Sequence, residues 1–509
     1  MILIIDFGSQ FNQLIARRVR ECKVYCQIVP PDIGIDKIKS INPEGIILSG
    51  GPSSIYDKNS PRIDKDIFKL KIPVLGICYG MQFMIDALGG SVKKSKKREY
   101  GFAELTIKKK EEIFTGIDRK TQSWMSHGDS IVKLPRGFVI TAFTENTRVA
   151  ATVNKKKKFY GLQFHPEVEH TVKGKKMIKN FLDVCGCAGT WTMKSFAKES
   201  IAEIKETVKD KRVILGLSGG VDSSVTALLI HKAIGKKLTC IFVDNGLLRK
   251  NERENLKKTL RKHLKINILF VNASNRFLKA LSGVSDPEKK RKIIGKIFID
   301  VFNSEAKKIK DAEFLAQGTL YPDIIESAAV GVAKTAVKIK THHNVGGLPE
   351  KMDFKILEPL KMLFKDEVRR VGLDLKVPEE IVFRQPFPGP GLAIRILGEA
   401  TPDRVKILQD ADVIVMDEIR AAGYYRKVWQ AFAVLLPIKT VGVQGDGRTY
   451  LNTVALRAVT SEDAMTANWA RLPYDLLERI SSRIINEVAE VNRVVYDISS
   501  KPPATIEWE

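Results

Sequence analysis

The sequence predicts an α/β protein in which two domains built on parallel sheets are followed by a smaller α+β domain. Three observations carry this. Short apolar runs alternate with helix-like stretches through the first third of the chain, and the alternation resumes after residue 212. A glycine-rich turn, Ser218-Gly219-Gly220-Val221-Asp222-Ser223-Ser224, stands where one such run passes into a helix pattern. Beyond residue 385 the alternation stops; strand-like Val413-Ile414-Val415 and Val454-Ala455-Leu456-Arg457 accompany a long amphipathic run from Leu472 to Val488. The predicted domains are residues 1–187, 188–384 and 385–509.

Bulk properties narrow the class. The 509 residues are 44% hydrophobic and 28% charged, a globular balance with length for several cores. No apolar run approaches the ~18 residues of a membrane span, and Met1-Ile2-Leu3-Ile4-Ile5-Asp6 starts as a buried strand without a basic leader, so a cytoplasmic protein is expected. Six cysteines are too few for a disulfide framework, and Cys185-Gly-Cys187 lacks the second ligand pair that zinc requires. The net charge of +25 would suit a polyanion. Its Lys clusters, such as Lys93-Lys94, Lys108 to Lys110 and Lys155 to Lys158, lie beside turn-like segments with little aromatic interleaving. They read as solvated surface, and nucleic acid is not expected as a partner.

In the first domain, Ile2 to Asp6, Gly45 to Leu48 and Ile72 to Ile77 read as strands and Gln10 to Glu21 as a helix. Gly76-Ile77-Cys78-Tyr79-Gly80-Met81-Gln82 sets a cysteine between small residues at a strand-to-helix junction, the arrangement of a nucleophile elbow. A helix N-terminus there favours the thiolate, the reactive form. Gly161-Leu162-Gln163-Phe164-His165-Pro166-Glu167 places His and Glu two residues apart, so an extended chain sends both side chains the same way. His165 is then placed to take the thiol proton while Glu167 fixes the imidazole tautomer. Ser49-Gly50-Gly51-Pro52-Ser53 offers backbone N–H groups for an oxyanion hole.

Together these residues resemble the class I glutamine amidotransferases over roughly residues 1–185. The resemblance implies Cys78 as nucleophile, His165 as base, Glu167 as orienting acid, and Gly51 and Tyr79 as oxyanion donors. It also places Gln82, His127 and Asp129, the last two in Met125-Ser126-His127-Gly128-Asp129, near bound glutamine.

The second domain opens, after an amphipathic helix from Met193 to Val208, with the apolar run Val213 to Leu217. Gly219 and Gly220 admit positive φ and leave no side chain in the way, so backbone N–H groups can close round an anion at the following helix N-terminus. Ser218, Ser223 and Ser224 add hydroxyl donors. The same residues would also serve a plain strand-to-helix connection with Asp222 or Ser223 as N-cap. The spacing is not that of a Walker A loop. It resembles the S-G-G-x-D-S signature of the N-type ATP pyrophosphatases, with their adenine nucleotide alpha hydrolase-like fold, and so implies that Ser218, Gly219, Gly220, Val221, Asp222, Ser223 and Ser224 hold ATP. Leu238 to Val243, Asn267 to Val271 and Glu313 to Gln317 supply further strands.

Four remaining motifs, Gly318 to Ser327, Lys340 to Gly347, Phe387 to Arg395 and Lys501 to Glu509, together resemble the glutamine-hydrolysing GMP synthase family from end to end. The resemblance implies that xanthosine monophosphate (XMP) is adenylylated by MgATP and that ammonia from glutamine then displaces AMP. Arg291, Gln444, Lys501, Ile506 and Glu507 match positions that hold XMP, while Asp323, Glu326 and Lys340 match a lid. Mg²⁺ enters with ATP, and no protein ligands are assigned to it. The resemblance also implies a homodimer with its contact in the last domain; Leu476, Leu477, Ile480, Ile484 and Ile485 would serve equally as that contact or as intrachain core.

Two other readings share part of the pattern. One is another amidating or thiolating ATP pyrophosphatase, such as an NAD synthetase or a tRNA thiolase, in which the amidotransferase half and the Lys501 to Glu507 stretch have no place. The other is a polyanion-binding protein with degenerate sites, against which intact Cys78, His165, Glu167 and Ser218 to Ser224 argue.

Overall fold

Ile2, Leu3, Ile4 and Ile5 are all fully buried, as a strand covered on both faces must be. They form the first strand in a computed structural model that describes residues 1–110, 112–264, 266–324, 354–461 and 466–509. The chain divides into two compact units, residues 1–196 and 197–509.

The first unit holds β1 (Ile2–Ile5), α1 (Asn12–Glu21), β2 (Cys26–Val29), α2 (Ile35–Ile41), β3 (Gly45–Leu48), β4 (Val74–Ile77) and α3 (Tyr79–Ala87). There follow β5 (Ser91–Ile107), β6 (Lys120–Lys133), β7 (Val139–Phe143), β8 (Ala151–Asn154), β9 (Phe159–Leu162) and α4 (Gly174–Val184). One sheet carries all nine strands in the order β2-β1-β3-β4-β9-β8-β7-β5-β6. Its half from β2 to β9 is parallel. The other half is antiparallel, an extension that the alternation of runs and helices did not announce.

After α5 (Met193–Val208), which runs where the amphipathic pattern places it, the second unit continues with β10 (Arg212–Gly216), α6 (Val221–Ile234), β11 (Leu238–Asp244), α7 (Glu252–Leu264), β12 (Ile268–Asn272), α8 (Ser274–Leu281), α9 (Pro287–Ala306), β13 (Ala312–Ala316) and β14 (Lys355–Leu357). These strands form a parallel sheet ordered β12-β11-β10-β13-β14. The chain leaves β10 toward one edge and returns to its other side, so a crevice opens at the carboxyl end of β10, where such sheets bind ligands.

Beyond α10 (Lys365–Asp374), α11 (Glu379–Val382) and α12 (Pro402–Ala421) come β15 (Gln430–Gln444), β16 (Gly447–Thr460), β17 (Asn468–Trp469), α13 (Tyr474–Glu487) and β18 (Val491–Tyr496). β15 and β16 form a long antiparallel hairpin, and β18 adds parallel to β16. Val413-Ile414-Val415, expected as a strand, lies instead inside α12. Thr401 caps that helix through the Arg404 N–H and Pro402 starts it, and burial of Ile414 and Val415 outweighs the weak helix disfavour of β-branched residues. Leu476, Ile480 and Ile484 are intrachain core, in a cluster that also takes in Ile214, Ile241 and Leu392, with Leu477 packed on it. Among the described residues no helix is long and apolar enough to cross a membrane.

Candidate active site

The first site forms where two adjacent parallel strands end. β4 and β9 pair with Ile77 opposite Leu162, and the Cys78 N–H donates to the Leu162 carbonyl at 2.7 Å, so the residues after each strand are neighbours. Cys78 takes φ 46° and ψ −109° at the start of α3, a conformation costly for any residue with a side chain. A Cβ on Gly76 would lie 2.6 Å from the Met81 nitrogen, and one on Gly80 2.3 Å from the Leu48 carbonyl oxygen. Only glycines let strand and helix close this tightly.

The Cys78 sulfur stands 3.2 Å from His165 Nε2 and 3.0 Å from the Gln163 carbonyl oxygen. On the far side of the ring, His165 Nδ1 is 2.7 Å from Glu167 Oε1, and Glu167 is fully buried. Cys78, His165 and Glu167 therefore lie in one line of contacts, as the sequence predicts. The ring is held by the Phe11 edge, with centroids 5.1 Å apart, by the His165 N–H donating to the Trp124 carbonyl at 3.0 Å, and by Thr171 Oγ1 donating to the His165 carbonyl at 2.6 Å. Burial opposes a charged imidazole, yet the Cys78 sulfur and the Glu167 carboxylate overcome it, and the His165 pKa is pushed up to about 11. The imidazole is thus favoured in its charged form between the sulfur and the Glu167 carboxylate.

Around this pair the sequence-predicted neighbours assemble. A Cβ on Gly50 would sit 3.7 Å from Cys78 Cβ and 3.3 Å from His165 Cε1, which lays this part of the Ser49 to Ser53 turn against the site; a Cβ on Gly51, the next residue, would meet the Phe7 carbonyl oxygen at 2.6 Å. The Tyr79 hydroxyl is engaged with the Pro61 carbonyl, leaving the main chain of Tyr79 at the first turn of α3. Gln82 Nε2 donates to Gln163 Oε1 at 3.1 Å and lies 3.4 Å from the Asp129 carbonyl oxygen. That carbonyl accepts from His127 Nδ1 at 2.9 Å, and Asp129 Oδ2 accepts from Ser54 Oγ at 2.6 Å. Burial pushes the His127 pKa down, against the pull of the Asp129 carbonyl and Glu99. Gln163 and Phe11 were not singled out from sequence. Gln163 shares strand parity with His165 and Glu167, a signal that would have found it.

The second site is the turn after β10. Gly219 has φ +75° and Gly220 caps α6. Ser218 Oγ and Ser223 Oγ are 3.0 Å apart, and the Gly220 N–H points to Ser218 Oγ at 3.3 Å. Hydroxyls and N–H groups thus lie together, bonded to one another, at a helix N-terminus, where the dipole favours an anion. Val221 begins α6 and Ser224 is buried one turn in. Asp222 Oδ2 pairs with Lys365, while its Oδ1 is buried without a hydrogen-bond partner among the described residues. Asp323 Oδ2 accepts from the Leu320 N–H at 2.9 Å; Glu326 and Lys340 lie outside the described residues.

The third group gathers round residues 499–509. Glu507 receives Arg395 through Nε at 3.0 Å and Nη2 at 2.8 Å, and Gln430 Nε2 at 2.7 Å. Ile506 packs with Phe432, Val434 and Ala455. Arg291 bonds the Glu509 main-chain oxygen, and Lys501 pairs through its backbone with Ala467. Gln444 is exposed at the tip of the β15–β16 hairpin and takes no part in these contacts.

A buried Cys-His-Glu line at the ends of parallel strands, in one chain with a serine- and glycine-lined turn on a parallel α/β sheet, defines a glutamine amidotransferase joined to a nucleotide-type synthetase unit. Residues 3–185 match the family Glutamine amidotransferase class-I, residues 193–293 NAD synthase, and residues 417–508 GMP synthase C terminal domain. The glutamine-hydrolysing GMP synthase of Brachyspira hyodysenteriae is 60% identical over 100% of this chain and 99% of its own length. Those of Carboxydothermus hydrogenoformans and Clostridium botulinum are 57% and 58% identical over the same shares. The chain belongs to the glutamine-hydrolysing GMP synthase family.

Proposed function

We propose that the chain converts XMP to GMP, hydrolysing glutamine at Cys78 and ATP at the Ser218 to Ser224 turn. The observation that carries the reading is the contact line Cys78–His165–Glu167 in a chain aligned throughout with GMP synthases. The Cys78 sulfur attacks the carboxamide carbon of glutamine, and Gly51 and Tyr79 N–H groups receive the oxyanion. His165 gives its proton to the departing ammonia, then takes one from the water that cleaves the thioester. Glu167 holds the ring throughout. Gln82, His127 and Asp129 position the amino-acid end of the substrate.

At the second site the turn holds the ATP phosphates while an XMP oxygen attacks the α-phosphorus and pyrophosphate leaves. Ammonia then displaces AMP. Arg291, Gln444, Lys501, Ile506 and Glu507 hold XMP, and Asp323, Glu326 and Lys340 belong to the lid. The reaction calls for Mg²⁺, and the fit is fair: no cluster of three or more acidic, His or Cys ligands exists among the described residues, but Asp222 Oδ1 is buried and unpartnered beside the turn. Mg²⁺ typically takes one or two carboxylates and completes its shell with phosphate and water. Asp222 would hold it, and when bound it neutralises phosphate charge.

The roles divide at residues 1–187, 188–384 and 385–509. The protein works in the cytoplasm as a homodimer, and the dimer is supported by the exposed Ile438, Val441, Val443 and Tyr450 on the β15–β16 hairpin. Sedimentation equilibrium should give twice the chain mass, and a monomer would refute the dimer. The activity is tested by following GMP, AMP, pyrophosphate and glutamate with XMP, MgATP and glutamine supplied together. One of each per turnover is expected; ATP cleavage without GMP would refute XMP as acceptor.

A further inference from the structure

The ATP turn is gripped from behind by a guanidinium that no motif above singles out. Arg384 Nη1 donates to the Gly219 carbonyl at 2.9 Å, and its Nη2 pairs with Glu252. Glu252 is itself fixed, accepting the Arg249 N–H through Oε2 at 2.8 Å. The next residue, Gln385, is tied on both ends of its amide, to the Tyr425 carbonyl and the Ala431 N–H, each at 2.9 Å. The guanidinium is therefore held in place from two sides, independently of the turn.

Peptide planarity converts that grip into the shape of the phosphate cradle. In a trans peptide the carbonyl of one residue and the N–H of the next point in opposite directions. With the Gly219 carbonyl fixed on Arg384, the Gly220 N–H must point away, and it points to the side lined by the Ser218 and Ser223 hydroxyls. The approach is so close that a Cβ on Gly219 would fall 2.9 Å from Arg384 Nη1. Burial and the nearby Arg249 charge push the Arg384 pKa down to about 10, which leaves it charged at neutral pH.

We propose that Arg384 is a positioning residue for the ATP-binding turn, holding the Gly219 peptide so that the Gly220 N–H faces the phosphates. This rests on the reading of Ser218 to Ser224 as the ATP site. A guanidinium serving only to tie α7 to the segment after α11 would leave nucleotide affinity alone when replaced.

The test is steady-state synthesis by the full chain with ammonium as nitrogen donor, varying ATP and XMP separately. Loss of one charge-assisted bond predicts that R384Q raises the KM for ATP about tenfold or more and the KM for XMP less than about twofold. R384K, which can still donate one bond to Gly219, should recover part of the loss, and E252Q should shift ATP in the same direction by less. S223A reports on the turn itself. If S223A raises the KM for ATP while all three other variants leave it unchanged, or raise both KM values together, the role of Arg384 is overturned. If S223A also leaves ATP unaffected, the turn is not the ATP site and both readings fall. Should R384Q fail to fold, R384K and E252Q decide by the same criteria.

Discussion

Cys78 is held at φ 46°, and such backbone strain costs roughly 1–3 kcal/mol, borne where the surroundings fix it and chemistry needs it. The surroundings here are the Leu162 carbonyl before it and the first turn of α3 after it. Cys78→Ala should abolish synthesis from glutamine and leave synthesis from ammonium intact, read by GMP formation with each donor; loss of both in a folded variant would contradict separate sites. Glu167→Gln should lower glutamine hydrolysis by roughly 10²- to 10⁴-fold, since an orienting acid acts only through its histidine. His127 gives a pH signature of stability. Its folded pKa lies below the ordinary 6.5, so as pH falls through 6.5 the unfolded chain takes up a proton that the folded one resists. Stability then drops by at most about 1.4 kcal/mol per pH unit. Urea midpoints from pH 7 to 5 should fall more steeply for the native chain than for His127→Gln, and parallel curves would contradict the assignment. The contact line from Cys78 through His165 to Glu167 was legible in the sequence because glycine spacing and strand parity are local signals. The pairings of Arg384 and Arg395 were not, because their partners Gly219 and Glu507 lie 165 and 112 residues away.

At the level of elements, the first site depends on α3 crossing β3 at backbone contact. Gly80→Ala would drive its Cβ toward the Leu48 carbonyl oxygen, 2.3 Å away, and neither partner is a flexible side chain. A loss of roughly 1–3 kcal/mol is expected, with glutamine hydrolysis lost before ammonium-dependent synthesis; an unchanged melting temperature would show that the helix can shift freely. The parallel strands were legible because both faces are buried and the runs are continuously apolar, as in Ile2 to Ile5 and Val213 to Leu215. β5 and β6 escaped notice because they are long, partly exposed and carry lysines, so no continuous apolar run marks them. Val413 to Val415 misled for the opposite reason: three β-branched or apolar residues in a row look like a strand until Thr401, Pro402 and the burial of α12 are counted together.

Over the whole molecule, the second unit closes round residues 499–509. Arg395 is fully buried, stacked on Phe432 at 4.0 Å and paired with Glu507. Arg457, equally buried, donates to the carbonyls of Ser499 and Thr505 at 2.6 and 2.9 Å, and Lys290 pairs with Glu509. Glu507→Ala would leave Arg395 buried and unpaired, a loss of about 3–5 kcal/mol that should appear in the unfolding transition of the second unit and spare that of the first. Equal shifts in both transitions would contradict this placement. Sequence patterns reached the role proposed for residues 501–507 but not their place among three buried cations. That placement also orders events during synthesis of the chain. The first unit has its nine described strands once residue 162 has emerged, whereas in the second Arg395 must wait for Glu507, and Arg457 for the carbonyls of Ser499 and Thr505. A ribosome stalled before residue 499 would therefore display a finished glutaminase unit while the synthetase unit still lacks these partners.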